Sequence, residues 1–365
     1  MMLRRWPAEG RIIEEPASGR RLRQITTWSA IHHHPFFFVD AFDEAANFLA
    51  FVSNRTGAPQ IFVEHRAGGD LLQLTDLDGL SEWSVIPARD GSFVYFVADG
   101  VAMRVDPRSG KSEALAELSG GDMGGTGMVG AAMGTTALSP SGRWWAIPLN
   151  IGGAYRFLVI DTQSGATEII LERDTIGHPQ FCPDDDELIL YAGPMTDRVW
   201  LIRRDGTCHR RLYEREHALQ WVTHEIWWPG RRSVLFVDWP NGLRAVSVET
   251  GDCTWVSRFP VWHGAPDRWG NCLVCDTNFP DRGLHLIDLG MNKSDQARFL
   301  CRSDATSRGD HWGSAFPYND GPVKVYAPQH THPHPRFAPD GRSVIFTSDR
   351  TGHPQLYEVG INVDL

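Results

Sequence analysis

The chain has 365 residues, among them 36 Gly, 23 Pro and 14 Trp, and carries a formal net charge of -10. No Lys/Arg-rich block stands out, so the basic footprint that phosphate recognition needs is missing and a nucleic-acid partner is excluded. No run of 18 apolar residues occurs, and the opening MMLRRWPAEGRIIEEPASG has charge but no apolar segment of the kind a signal peptide needs; the expectation is a soluble, cytoplasmic protein with no membrane partner.

In chain order, residues 1–19 read as an N-terminal extension and RRLRQITTW, residues 20–28, as a strand ahead of the first unit. IHHHPFFF follows, a His-rich segment with His32, His33 and His34, read as decoration at a channel mouth. Next comes FLAFVSNRTGAPQIFVE (48–64), two strand-like runs around an S-N-R-T-G-x-P-Q turn; SVIFTSDRTGHPQLYEV (343–359) repeats it at the other end. Weaker copies lie between them, such as SPSGRWWAIPLNIGGAYRFLVID and WPGRRSVLFVDWPNGLRAVSVETG. About seven units, roughly 40 to 50 residues apart, predict an all-β, seven-bladed β-propeller forming one domain over 1–365. The segment 20–28 is expected to add the outer strand of the last blade and so close the ring. Residues 305–336 form a longer connection before that blade. Two packed β-sandwiches fit the period less well. The repeat units resemble those of TolB and its relatives, a likeness that concerns fold and not activity. CLVC, Cys272 to Cys275, sits in an apolar strand-like run where a spacing of three puts the thiols on opposite faces, so a zinc knuckle is not expected.

Within each unit the residues before the P-D-G-like turn should form the innermost strand, which lines the channel. Counting back seven positions from the turn Gly or its equivalent gives Val39, Ser84, Thr135, His178, His224, His263 and His334. Four consecutive units thus carry His at one position. On a strand, residues i and i+2 face the same way, about 6.6 Å apart, so His332 joins His334, whereas His330 has the wrong parity. Prolines in GHPQF and HTHPHPRF agree with an edge strand, where Pro is tolerated.

His263, His332 and His334 with Gln329 offer three imidazoles and an amide oxygen, a neutral N/O set suited to a first-row divalent ion with positions left open. The alternative is a set of hydrogen-bonded polar residues on the channel wall. Neutral ligands leave the ion its full charge, which would hold a carboxylate even in an acidic protein. His224, in WVTHEIWW, can be a further ligand, a channel filler or a general base. His178 is a substrate contact or a structural residue, and Arg198, in TDRVW, is a strand charge or a carboxylate contact. No G-x-S-x-G, Walker A or G-x-G-x-x-G occurs in a fitting context.

These segments together resemble the oligogalacturonate lyases, a family of seven-bladed propellers related to TolB. VTHEIWW matches the family's base-bearing segment, VWHGAPDRWG its later His before a blade turn, and QHTHPHP its Q-x-x-H-P-H-P segment; GHPQF and GPMTDRVWLIRRDG match as well. The match spans about residues 176 to 358. The resemblance implies His224 as catalytic base, Arg198 as the arginine beside the scissile sugar, and His263, Gln329, His332 and His334 as ligands of manganese. It implies β-elimination at an α-1,4-linked galacturonate in an acidic oligosaccharide, giving a 4,5-unsaturated sugar. The family's CHRNYFY-like opening is HHHPFFF here, and a family His appears as Tyr191; both departures bear on which uronate is bound. The competing expectations are a lyase of similar mechanism on another uronate linkage, and a non-catalytic propeller scaffold of the TolB type.

Overall fold

The computed structural model describes residues 3–118, 120, 121, 123, 134–277, 281–290, 297–305 and 332–362. They form seven antiparallel sheets, five of four strands and two of five, arranged as the blades of a propeller. The innermost strands, in ring order, are His32–His33, Ile86–Pro87, Ala137–Leu138, Gly177–Cys182, Trp221–Trp228, Gly264–Pro266 and Arg336–Phe337. Among the described residues the one helix assigned is the short turn Glu82–Ser84, and no helix is long and apolar enough to cross a membrane.

The second strand of each blade has a buried, mostly apolar centre because both of its faces are covered by neighbouring blades. Phe48–Ser53 and Ser343–Ser348 are buried at every position, as a two-sided core strand requires. The outermost strands face water on one side and read accordingly: Ser112–Glu117 is mostly exposed. Apolar side chains of adjacent blades interlock, as where Val52, Ile61 and Val63 of the first blade pack with Val94 and Phe96 of the second. Between the first two strands of a blade a tight turn demands a left-handed residue, and Gly270 shows why it is glycine. Its φ is +67°, and a Cβ there would lie 2.3 Å from the Pro229 carbonyl oxygen.

The ring closes as expected. Arg20–Gln24 pairs with the last long strand, Gln355–Gly360, through Leu22↔Val359, Arg23↔Glu358 and Gln24↔Tyr357. The N-terminal segment does more than close one blade. Arg11–Glu15 adds a fifth strand outside Arg20–Gln24, and Arg4–Trp6 pairs with Leu71–Gln73 of the first blade.

The IHHHP segment is not decoration at a mouth. His32, His33 and His34 are 0%, 1% and 1% exposed, and Phe36 and Phe37 are as deeply buried. The strand ends at His33 and the chain turns inward, with the Val39 N–H donating to the Phe36 carbonyl at 2.8 Å. Beyond Pro35 the chain leaves the strand, and Phe36 and Phe37, set against His178, His263 and His334, make this a plug across the channel.

Candidate metal centre

The inner strands bring His178, His224, His263, His332 and His334 to one place above that plug. Ring centroids are 4.4 Å apart for His224 and His263, 4.3 Å for His263 and His334, and 5.2 Å for His263 and His332. His178 and His224 stack at 6.1 Å with 14° between their planes. Phe36 lies 4.6 Å from His334 and 5.4 Å from His178, and Phe37 lies 5.2 Å from His263, so the plug forms the floor. Beyond it, on the side of the blade turns, lies a separate cavity of about 420 Å³ lined by Phe38, Pro179, Trp227 and Arg336 among others, and by none of these histidines.

The local backbone explains the convergence. His178, His224 and His334 have φ of 47°, 49° and 44°, a left-handed conformation that costs a non-glycine residue about 1–3 kcal/mol and persists only where the surroundings fix it. At the first two the strand register shifts, between Gly177 and Gln180 and between Thr223 and Ile226. Such a bulge re-aims a side chain out of the pleat. His334 was expected to share a face with His332 by strand parity. The regular strand there starts at Arg336, so the pair meets through the turn at His334, at 5.6 Å between rings, and not through a period of two.

Three of these residues can act on one ion. Ligand atoms of His263, His332 and His334 all lie within 4.8 Å of one another, and all three side chains are buried. Three donors at about 2.1 Å from one ion lie about 3.0–3.6 Å from one another, so at the upper end of that spacing the rings need close by about an ångström. His334 Nε2 is buried and has no hydrogen-bond partner among the described residues. Burial, followed by the neighbouring His263, holds its pKa well below the usual value, which keeps the imidazole neutral as a ligand must be. His263 is held from behind, its backbone N–H donating to Asp276 Oδ1 at 2.7 Å and its Nδ1 lying 2.8 Å from Asp276 Oδ2. A carboxylate on Nδ1 leaves Nε2 for a metal. Gln329, the expected fourth ligand, and His330 lie outside the described residues.

His224 sits against Trp262, centroids 4.5 Å apart, with its Nδ1 buried and without a hydrogen-bond partner among the described residues. Burial and then His263 push its pKa well below the usual value, so the ring is neutral. Arg198 and His178 meet on Glu225, which the sequence reading did not single out. His178 Nδ1 is 2.8 Å from Glu225 Oε1, and Arg198 Nε donates to Oε2 at 3.2 Å. Burial works to raise the Glu225 pKa, but Arg198 and then His178 outweigh it and hold the carboxyl down at about 2. Asp276 was missed as well. The one signal for Glu225 was its place beside His224; nothing in CDTNF marked Asp276, because it meets His263 only through the register of two paired strands, Gly264 opposite Cys275. Tyr191, where the resemblance led one to expect His, is buried, with its hydroxyl 2.7 Å from Arg173 Nη1 and 2.8 Å from His209 Nε2.

Fold and site together define a seven-bladed propeller with a cluster of buried histidines at the inner ends of its blades. The family profile described as oligogalacturonate lyase matches residues 11–364. The chain belongs to that family. It is 31% identical to an oligogalacturonate lyase of Dickeya dadantii, an alignment that spans 55% of this chain and 54% of the relative, about half of its length. It is 25% identical to an oligogalacturonide lyase of Pectobacterium atrosepticum over 94% of both chains. Among solved structures, an oligogalacturonate lyase in complex with manganese superposes with a TM-score of 0.83 at 21% identity, covering 98% of this chain and 97% of that one.

Proposed function

We propose that this protein is a metal-dependent lyase that cleaves short α-1,4-linked oligogalacturonides by β-elimination, leaving a 4,5-unsaturated uronate at the new end. The observation that carries the reading is the meeting of three buried imidazoles, from the sixth and seventh blades, within 4.8 Å. A scaffold has no use for such a cluster, since burying polar nitrogens without partners is costly. His263, His332, His334 and Gln329 are the proposed ligands, and manganese is the proposed ion, in line with the manganese-bound structure that shares this fold.

The proton to be removed, at C5, is alpha to a carboxylate, which acidifies it poorly while it remains an anion. A divalent ion held by His263, His332 and His334 would supply several kcal/mol of stabilisation for the charge that builds on the carboxylate. Arg198, 11% exposed at its side chain, adds a fixed positive charge beside the same oxygens. His224 takes the C5 proton through its unpartnered Nδ1, for which a neutral ring is the competent form. The C4–O4 bond then breaks as the 4,5 double bond forms, and O4 stays on the departing sugar as its anomeric hydroxyl, taking a proton from water. The plug of Phe36 and Phe37 closes the floor, so substrate enters and product leaves by one mouth. The same proposal takes residues 1–365 as one domain and the cytoplasm as its compartment, where its six free thiols stay reduced.

The test is incubation with digalacturonate, following the ultraviolet absorbance of the unsaturated product with and without a chelator, alongside metal analysis of the purified protein. Turnover abolished by the chelator and restored by manganese is the expected result. Turnover indifferent to the chelator would overturn the role given to the ion. No turnover of any uronate oligomer, with no metal retained, would return the protein to the scaffold class.

A further inference from the structure

Glu225 is 0% exposed and belongs to none of the groups that take the proton or hold the ion, yet it touches two residues of the site at once. Its contact with His178 fixes a tautomer. Two bare acceptors at 2.8 Å would repel, so the proton lies on Nδ1 and is donated to Oε1. Arg198 Nη2, at 3.2 Å from the same Nδ1, then has no lone pair to bond there and is left for a ligand. The other nitrogen of His178, Nε2, is buried and has no hydrogen-bond partner among the described residues. Its lone pair lies on the ring edge away from Glu225, within the channel where His178 stacks on His224. A buried, unpaired acceptor in a sugar site calls for a donor, and the only donors on a uronate are its hydroxyls.

We propose that Glu225 is a positioning residue that sets His178 and Arg198 as one unit, in which Arg198 meets an anionic oxygen of the substrate and His178 Nε2 accepts a hydrogen bond from a free sugar hydroxyl, so that the site selects uronates not esterified at that hydroxyl. The inference rests on the lyase reading above and goes beyond it by naming a selectivity. An O-acetyl group in place of that hydroxyl removes the donor and adds bulk against Phe36 and Phe38, whose rings lie 5.4 and 5.2 Å from His178. The low pKa of Glu225 agrees with this, because a carboxylate held ionised never competes for the Nδ1 proton.

The experiment compares kcat/KM on an unmodified oligogalacturonide and on its O-acetylated counterpart, for the wild type, Glu225→Gln, Glu225→Asp and His178→Phe. Nitrogen NMR of His-labelled protein reads the His178 tautomer in the same samples. The wild type is expected to prefer the unmodified substrate by at least about 100-fold. Glu225→Gln can turn its amide N–H₂ toward Nδ1, moving the proton to Nε2; the expected result is that tautomer shift, a fall of about 100-fold on the unmodified substrate, and a preference reduced to under about 10-fold. Glu225→Asp should recover part of both, and His178→Phe should lose the preference while still folding. A wild-type tautomer and an unchanged preference in Glu225→Gln would overturn the proposal. A wild type that turns over no uronate would overturn the lyase reading and the hydroxyl selectivity with it, while the tautomer measurement would separately decide whether Glu225 positions His178.

Discussion

At the scale of single residues, the carboxylates behind the histidines separate a structural cluster from a working site. Asp276 uses both oxygens on His263, one for its backbone N–H and one for Nδ1. Asp276→Asn leaves a single acceptor for two donors and offers an N–H₂ that favours the proton on Nε2, where the metal must bind. Metal affinity is therefore expected to fall about 10- to 100-fold, measured by competition with a chromophoric chelator, with the circular dichroism of the folded protein unchanged. His224 gives the complementary case. As a base it contributes about 10²- to 10⁴-fold to turnover, so His224→Gln should lower kcat by that factor while the same competition experiment gives metal affinity within a few-fold of wild type. A large loss of metal affinity would instead make His224 a ligand, one of the roles its place in the sequence left open.

At the scale of elements, the inner edge of each blade was legible only in part. Counting from the turn glycines put His178, His224, His263 and His334 at one level, and their rings do meet. What the count could not show is why they meet. Bulges and left-handed φ values at His178 and His224 are set by the neighbouring blades, and no local pattern in GHPQF or THEIW announces them. The HHHPFFF segment was misread for a related reason: a His-rich stretch looks polar and exposed until the rest of the ring supplies the walls that bury it. That burial has a consequence for stability. Desolvation first, then Arg55, lowers the His32 pKa to about 4, and desolvation takes His34 to about 4 as well. The unfolded chain binds a proton on each near pH 6.5, whereas the folded chain does so only near 4, so stability is complete above that upper value and is lost as pH falls through the window. Each ring accounts for on the order of 3 kcal/mol across it. Urea unfolding of metal-free protein at several pH values between 6.5 and 4 should show a falling midpoint, and His32→Phe should flatten the slope.

At the scale of the whole molecule, the repeat was legible because each blade needs the same apolar second strand and the same turn, and those leave a period in the sequence. The seam was legible only as a strand ahead of the first unit. Its chemistry was not, because Glu358 pairs with residues 292 and 335 positions away. Glu64 of the first blade and Glu358 of the last are each 1% exposed. Arg66 donates to both, at 3.0 Å to Glu64 and 2.7 Å to Glu358, while Arg23 of the closing strand pairs with Glu64 and reaches Glu358 at 3.3 Å. Ser343 donates a further hydrogen bond to Glu358 at 2.6 Å. Two acids and two bases thus balance at the one place where the ring is held without a covalent link. Glu358→Gln keeps the volume but leaves two guanidinium groups facing a single buried carboxylate. Breaking one side of such a buried network costs about 3–5 kcal/mol. The loss should also be local: the first event is separation of Arg20–Gln24 from Gln355–Gly360, the strand ladder that Glu358 and Arg23 themselves belong to. Hydrogen exchange is expected to quicken first in residues 11–24 and 355–360, with inner strands such as Trp221–Trp228 protected until global unfolding. Uniform quickening across all blades would mean that the propeller opens as one cooperative body and that the ionic clasp does not govern where it begins.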